Sequence, residues 1–247
     1  MEEKLQSIHP GIRPLLLDFT REMKSEFGRN LTALILYGSA AGENFILKRS
    51  NINLLMVLEE VHLTHLVQFK KRAGFWKKRG IIAPLFCTKE FLSGSKDVFP
   101  IEWLDILSHH VLLHGVNPFD FTIEDSDIRL QCEKEIRENQ IRIRQSFLET
   151  GDSSKEIENL ALISLNSIFP VLRSVLILQK NPSPPIERER LIRIFCENNR
   201  ISPDHFLKIW SAKKGSPIPK EETMRTFEGY MNDLELIAKI IDKLDLK

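Results

Sequence analysis

The feature that most constrains the fold is a pair of short, continuous apolar segments in the first quarter of the chain. Residues 31–37 (LTALILY) end at Gly38, and residues 52–58 (INLLMVL) follow a short polar connection. Uncharged runs of this length, rich in Leu, Ile and Val, are typical of strands buried on both faces. The sequence therefore predicts that this part of the chain is built around a sheet.

Amphipathic segments flank these two strands. Apolar residues recur at helical spacing near residues 11–28 and again over residues 62–78, so both segments are predicted to be helices. Residues 81–86 (IIAPLF) form a third apolar run, and Pro84 places it at a sheet edge because proline donates no ladder hydrogen bond. This order of elements predicts an α+β fold with a small mixed sheet.

The second half of the chain contains no convincing strand and is predicted to be an all-α helical bundle. Helices are expected near residues 126–148, 154–179, 186–198 and 203–212, followed by a final helix. The expected core seam of that last helix is Met224, Phe227, Met231, Leu234, Ala238 and Ile241. The chain is therefore divided into two predicted domains, residues 1–123 and residues 124–247.

The segment between the two strands carries the residues suited to chemistry. The first strand ends in Gly38-Ser39, and Ser50–Asn53 opens the second. Glycine permits a tight turn and a close approach of the backbone to another group. A short helix beginning after Ser39 would present free N–H groups to a phosphate. Strand alternation places Asn51 and Asn53 on the same side.

This layout resembles the polymerase-β-type nucleotidyltransferase domain, in particular the group that includes the kanamycin and minimal nucleotidyltransferases. That family has Gly-Ser after the first strand and Asp-x-Asp, usually preceded by Ser, on the second. Gly38, Ser39 and Ser50 match. The resemblance is best over residues 31–58 and extends loosely to Gly115. It implies transfer of a nucleoside monophosphate from a nucleoside triphosphate to an acceptor hydroxyl with Mg²⁺, and a helical bundle that binds substrate.

The chain departs from that pattern at the metal-binding positions. Both family aspartates are asparagines here, Asn51 and Asn53, and Ala83 or Leu85 lies nearest the third carboxylate position. Mg²⁺ is anchored by carboxylates and substrate phosphate, so two negative charges are missing from the site. We therefore expect no catalytic residue, no metal ligand and no cofactor. The expected nucleotide-binding residues are Gly38, Ser39, Ser50, Asn51 and Asn53.

Three functions remain open at this stage. The first is a catalytically degenerate protein that acts as a binding or regulatory module and retains a site for a nucleoside triphosphate. The second is an active Mg²⁺-dependent transferase that recruits other acids, for which the candidates are Glu43, Glu59, Glu60, Glu102 and Asp105. The third is an oligomeric scaffold or partner-binding protein, because the resemblance implies a homodimer and the helical bundle could bind a partner.

Two further clusters have simpler explanations than a functional site. His109, His110 and His114 form HHxxxH, in which the last two would share a helical face, but a zinc site needs a third or fourth ligand. A structural or exposed role is therefore favoured for these histidines.

A basic cluster lies within the predicted helix over residues 62–78 and just beyond it. Its cations are Lys70, Lys71, Arg72, Lys77, Lys78 and Arg79, with Phe75 and Trp76 between them. Such a pattern can track a phosphate backbone and stack bases. A solvated helix face whose aromatic residues turn to the core is favoured.

Overall charge and cysteine content limit the partners and the compartment. The chain has 35 Lys and Arg against 34 Asp and Glu, so nothing attracts it globally to a polyanion and a nucleic-acid partner is not expected. The uncharged run Asn159–Leu172 is too short to span a bilayer, and no apolar signal segment opens the chain. Three scattered cysteines indicate free thiols in a reducing compartment. We therefore expect a cytoplasmic protein without a membrane partner.

Overall fold

The computed structural model describes residues 8–42, 45, 47, 50–151, 153–180 and 187–245. The chain forms two compact units, Met1–Ile123 and Glu124–Lys247. We call them the N-terminal unit and the helical unit.

The N-terminal unit contains a four-stranded mixed sheet. Its strands are β1 (Leu31–Tyr37), β2 (Asn53–Leu58), β3 (Leu85–Cys87) and β4 (His110–Gly115). They lie in the order β3-β2-β1-β4. Strand β1 pairs antiparallel with both β2 and β4, whereas β2 pairs parallel with β3. Together with the helical second half, this confirms the predicted α+β fold class.

Helices cover both faces of the sheet. They are α1 (Arg13–Phe27), α2 (Leu63–Lys77), α3 (Lys89–Gly94) and α4 (Pro100–Ser108), with short 3-10 turns at Pro10–Ile12, Gly28–Asn30 and Gly38–Ala41. On one face, Leu34 and Leu36 pack in a core with residues of α1 and α2. On the other, Ala33 and Ile35 pack with residues of α3 and α4. Burial on both faces explains why β1 is a continuous apolar run.

The third and fourth strands differ from the sequence-based expectation. The predicted strand at residues 81–86 is displaced: Ile81 forms one isolated parallel bridge to Ile52, and the regular strand begins only at Leu85, after Pro84. This strand does lie at the edge. Strand β4 was not predicted, because its six residues (HVLLHG) follow a helix directly and include two histidines.

The helical unit consists of five α-helices in its described residues. They are α5 (Asp125–Glu149), α6 (Ser154–Leu178), α7 (Arg188–Asn199), α8 (Asp204–Lys213) and α9 (Lys220–Asp242). The core seam predicted for α9 is partly wrong, because Met224 is 51% exposed. The buried face is rotated toward Thr223 and Tyr230 and includes Phe227, Leu234 and Ile241.

Polar side chains hold part of the helical core together. The Tyr230 hydroxyl lies 2.8 Å from the hydroxyl oxygen of Ser164, which donates to the Asn139 carbonyl oxygen at 2.7 Å. The Asn139 amide in turn donates to Ser167 at 2.6 Å. Because each of these groups has a partner, their burial does not carry the cost of an unmade hydrogen bond.

Among the described helices, only α6 is long and apolar enough to cross a membrane. Its best window has a mean hydropathy of 1.9, and 56% of that window is buried inside the structure. The short uncharged run used in the sequence argument underestimated how far the apolar stretch of this helix extends. Its burial is that of the core helix of a bundle, and α6 packs against α5, α7, α8 and α9.

A charged contact joins α1 to α2. The Glu22 carboxylate accepts hydrogen bonds from Arg72 at 2.9 and 3.0 Å and from the Trp76 indole at 3.0 Å. The hydrogen bond from Arg72 is the main reason that the pKa of Glu22 is lowered. One turn along α1, burial raises the pKa of Glu26, and the charge of Glu22 raises it further. The two acids therefore contribute to stability with opposite signs.

We expect Glu22→Gln to lower the free energy of unfolding at pH 7 by about 1–2 kcal/mol, because a neutral amide loses a bidentate charged contact. Since the folded-state pKa is lowered, this contribution is complete above the unfolded pKa and is lost as the pH falls through the folded value. Urea unfolding from pH 7 down to a pH below the folded-state pKa of Glu22 measures it. Glu26→Gln is the matched control, and it should cause no loss at pH 7. Equal losses for the two variants would contradict this assignment.

Candidate functional site

Strand pairing brings together the glycine and one asparagine of the predicted site. Tyr37, the last residue of β1, pairs with Asn53, the first of β2. Gly38 follows with a φ of +71°. A Cβ atom added at Gly38 would lie 3.0 Å from the side-chain nitrogen of Asn53. Glycine is needed here both for its left-handed backbone and for the closeness of the asparagine.

The turn after β1 differs from the predicted phosphate cradle. Residues Gly38–Ala41 form a 3-10 turn that closes with a 3.3 Å hydrogen bond from the Gly42 N–H to the Ser39 carbonyl. The short helix predicted to begin after Ser39 is therefore a single 3-10 turn that begins at Gly38. Residues 43–44, 46 and 48–49 lie outside the described part of the chain.

The other half of the predicted site lies beside the end of α2. The Ile52 N–H donates to the Gly80 carbonyl at 2.8 Å, and the Ile82 N–H donates back to Ile52 at 3.3 Å. These bonds hold Ser50 and Asn51 next to the segment that follows α2. The structure thus places Gly38 beside Asn53. It places Ser50 and Asn51 beside Lys77, Lys78 and Arg79.

A cleft of about 460 Å³ opens at this second position. Its polar side chains are Ser50, Asn51, Lys77, Lys78 and Arg79, and we call this group the basic cleft. The remaining lining residues are Ile12, Phe45, Leu47, Ile52 and Gly80. Among the described residues, three cations and no acid line the cleft, so their electrostatic potential favours an anion.

Two arginines stack on Phe75 near the cleft. The guanidinium carbon of Arg79 lies 3.6 Å from the Phe75 ring centroid, and that of Arg72 lies 4.2 Å from it. The expectation that the aromatic residues of this helix turn to the core is right for Trp76, which is 2% exposed, and wrong for Phe75, which is 37% exposed. Phe75 instead restrains Arg79 at the cleft.

The structure separates the acids that were considered as replacement metal ligands. Glu59 and Glu60 follow the far end of β2, so they lie about 20 Å from Asn53 at roughly 3.3 Å per residue and are wrong candidates. Glu102 and Asp105 lie on α4. Glu43 lies outside the described residues.

Among the described acids, Asp105 affects the pKa of a side chain at the end of β1. Burial raises the pKa of Tyr37, and the negative charge of Asp105 raises it further. Sequence reasoning missed Tyr37, because as the last residue of an apolar strand it gave no functional signal. It brings a phenol next to the Gly38 turn.

The described residues of this region do not fit a magnesium ion. Asn51 and Asn53 are neutral, and Leu85 pairs with Leu55 at the position considered for a third carboxylate. Within the described ranges, no group of three or more His, Cys, Asp or Glu side chains is arranged to hold a metal. Because Mg²⁺ depends on anionic oxygen ligands, three neighbouring cations oppose its binding.

The histidine motif lies on a strand and not on the helical face that the sequence suggested. His110 and His114 open and nearly close β4, about 13 Å apart at strand spacing. The His110 ring lies 3.1 Å from the carbonyls of Ile106 and Leu107. Burial, and then the charge of Lys24, lowers the pKa of His114. One zinc ion does not reach both rings at this spacing, so these two histidines do not form a zinc site together.

Comparison with known proteins supports the fold. No protein-family model matches the chain, and no curated protein matches it. Among solved structures, it is similar to a spectinomycin adenyltransferase from Enterococcus faecialis, crystallised with ATP and spectinomycin, at a TM-score of 0.53 and 13% identity. The match covers 90% of this chain and 99% of that chain. The chain therefore has a nucleotidyltransferase-type fold.

The close contact at Gly38 leads to a stability prediction. Gly38→Ala and Gly215→Ala should each lower the free energy of unfolding by about 1 kcal/mol or more. The loss should be larger for Gly38→Ala. Both glycines have positive φ, but a Cβ at Gly215 meets no atom within 4 Å. Urea unfolding of both variants measures the difference.

The excess cost of Gly38→Ala should shrink when Asn53→Ala is combined with it, because the crowded amide is then gone. An unchanged excess in the double variant would show that the asparagine does not press on this turn.

Proposed function

We propose that the chain is a catalytically degenerate nucleotidyltransferase-fold protein that binds the phosphates of a nucleoside triphosphate and acts as a binding or regulatory module. The observation that carries this proposal is the charge of the basic cleft. At the positions where the family resemblance implies carboxylates that bind Mg²⁺, this chain has Asn51 and Asn53. Lys77, Lys78 and Arg79 lie in the same cleft as Asn51. Such a site attracts the phosphate chain directly and needs no metal to bridge it.

The proposed binding residues are those of the sequence motif together with the cations. Ser50 and Asn51 are the neutral polar groups of the cleft, alongside Lys77, Lys78 and Arg79. We assign Gly38, Ser39 and Asn53 to the same ligand on the basis of the resemblance. The similar adenyltransferase structure contains ATP, which makes ATP the first nucleotide to test.

Active transfer remains the second candidate, because Asp105 supplies one negative charge near Tyr37. Phosphoryl transfer relies on positioning and on stabilising developing charge. A single recruited acid beside three cations does not replace a two-metal centre, and we therefore rank this function below metal-free binding.

The location and assembly of the chain are further parts of the proposal. All three cysteines are free and buried, and burial raises the pKa of each thiol to about 12. Unreactive thiols of this kind suit a cytoplasmic protein. The resemblance supports a homodimer, for which light scattering of the purified chain should give twice the 28.7 kDa monomer mass.

Removal of the cleft lysines tests the binding site. We expect Lys77→Met combined with Lys78→Met to weaken ATP binding about tenfold or more, because two charge-assisted contacts are lost. The matched control is Lys70→Met with Lys71→Met, which removes the same charge from exposed positions on α2 outside the cleft. Isothermal titration calorimetry in EDTA measures both. Equal weakening of ATP binding in the two double variants would show a general effect of charge and would contradict a specific site in the cleft.

The metal dependence separates the two candidate functions. We expect ATP to bind as tightly in EDTA as in Mg²⁺, because the protein contributes no carboxylate pair. We also expect no pyrophosphate release from ATP, Mg²⁺ and spectinomycin. Release that requires Mg²⁺ and disappears in Asp105→Asn would establish the transferase instead. If only Asn51→Asp with Asn53→Asp gave turnover, the degenerate assignment would be supported.

A further inference from the structure

The helical unit contains two cations that share one neutral partner. Arg188, at the start of α7, donates a hydrogen bond to the side-chain oxygen of Asn166. Lys213, at the end of α8, approaches the same oxygen at 3.4 Å. A single amide oxygen therefore faces both an ammonium and a guanidinium group. It has no formal charge with which to balance them.

Aromatic rings hold these cations in place. The guanidinium carbon of Arg188 lies 4.7 Å from the Phe169 ring centroid and 5.2 Å from that of Trp210. The Lys213 nitrogen lies 5.0 Å from the Trp210 ring centroid. Cation–π contacts of this kind contribute roughly 0.5–2 kcal/mol each, and they leave the net charge unchanged. We call Arg188, Lys213, Asn166, Phe169 and Trp210 the aromatic cation cluster.

The acids nearest in sequence are engaged elsewhere. The Glu187 carboxylate caps α7 by accepting from the backbone N–H groups of Glu189 and Arg190 at 3.0 and 2.7 Å. Glu189 pairs with Lys214 at 2.7 Å and with Arg193 at 3.1 Å. Among the described residues, no carboxylate forms a salt bridge with Arg188 or Lys213.

Arg188 is half-buried, so its uncompensated charge is costly, whereas Lys213 is exposed. Burial lowers the pKa of Arg188. It also lowers the pKa of Lys213, which the neighbouring charge of Arg188 lowers further. In addition, the indole N–H of Trp210 is buried without a hydrogen-bond partner in the described structure. Two cations and a spare donor are the complement of an oxyanion.

We propose that the aromatic cation cluster is a binding site for a phosphate group, either the free ion or the terminal phosphate of a small molecule. A phosphate dianion neutralises both cations at once, whereas a carboxylate neutralises only one. The planar guanidinium of Arg188 donates to two phosphate oxygens in parallel, and the ammonium of Lys213 donates to a third. The site is built entirely from α6, α7 and α8, and it involves no residue assigned to the basic cleft.

The test follows the indole N–H signals of the full-length ¹⁵N-labelled protein during titration with inorganic phosphate. The chain has three tryptophans, and Trp210→Phe assigns the signal of Trp210. We expect a saturable shift of that signal, with an apparent Kd of about 1 mM or tighter. Sulfate should reproduce the shift, and sodium acetate at the same ionic strength should not.

Matched lysine variants decide whether the shift reports this site. Lys213→Met should weaken the response to phosphate about tenfold, because one charge-assisted contact is lost. Lys214→Met, one residue further along and paired with Glu189, should leave it unchanged. An equal effect of the two variants, or a shift that grows linearly with every salt, would overturn the proposal.

Two additional variants separate this inference from the proposed function and from misfolding. Lys77→Met with Lys78→Met should leave the Trp210 response intact, because those lysines line the basic cleft. Arg188→Lys retains the charge but loses the planar fork, so it should weaken the response while the other two indole signals stay in place. If the Trp210 response is lost with the cleft lysines, the phosphate is bound there and this proposal fails.

Discussion

Strand β2 is paired on both sides, and this double pairing determines where the candidate functional residues lie. Its antiparallel register with β1 sets Asn53 opposite Tyr37 and therefore against Gly38. The parallel bridge between Ile52 and Ile81, just before β2, brings the end of α2 beside Asn51. A shift of one residue in either register would turn the asparagines to the opposite face. The apolar side chains of β2, buried on both faces, make such a shift costly.

The electrostatics of the N-terminal unit follow from that placement. Asn51 and Asn53 contribute no formal charge to this region, and the bridge at Ile52 brings Lys77, Lys78 and Arg79 beside Asn51. Among the described residues the local potential is therefore positive, because nearby unit charges interact by several kcal/mol at the effective dielectric constant of a protein surface, about 20.

The sequence predicted the elements better than their contacts. Strands β1 and β2 were evident from continuous apolar runs, and α1 and α6 from their periodicity, since these signals are local. The bridge between Ile52 and Ile81 was not predictable, because it joins positions 29 residues apart. Strand β4 was missed for a related reason. Strand β4 pairs with β1, which lies far from it in the sequence. Its two histidines also obscured the apolar pattern of a strand.

The sequence also did not predict which side chains of a helix face the core. In α9, the hydrophobic pattern predicted that Met224 is buried. The buried residue is instead Tyr230, whose hydroxyl forms a hydrogen bond with Ser164. Apolar character alone does not reveal that a hydroxyl has a buried partner. Phe75 is outside the core for a similar reason, because two arginines stack on its faces.

The helical unit compensates the buried charge of Asp233 internally and leaves the half-buried charge of Arg188 without an acid partner among the described residues. Burial raises the pKa of Asp233, and the hydrogen bond from His205 at 2.8 Å acts against that rise. Gly229 makes this contact sterically feasible, since a Cβ atom there would lie 2.3 Å from the His205 ring. Arg188 is only partly buried; its polar partner is an amide, and its other neighbours are aromatic rings and a second cation. Aromatic faces orient a cation but do not neutralise it, so an anion that enters this cluster gains the full interaction that a built-in acid would otherwise have used.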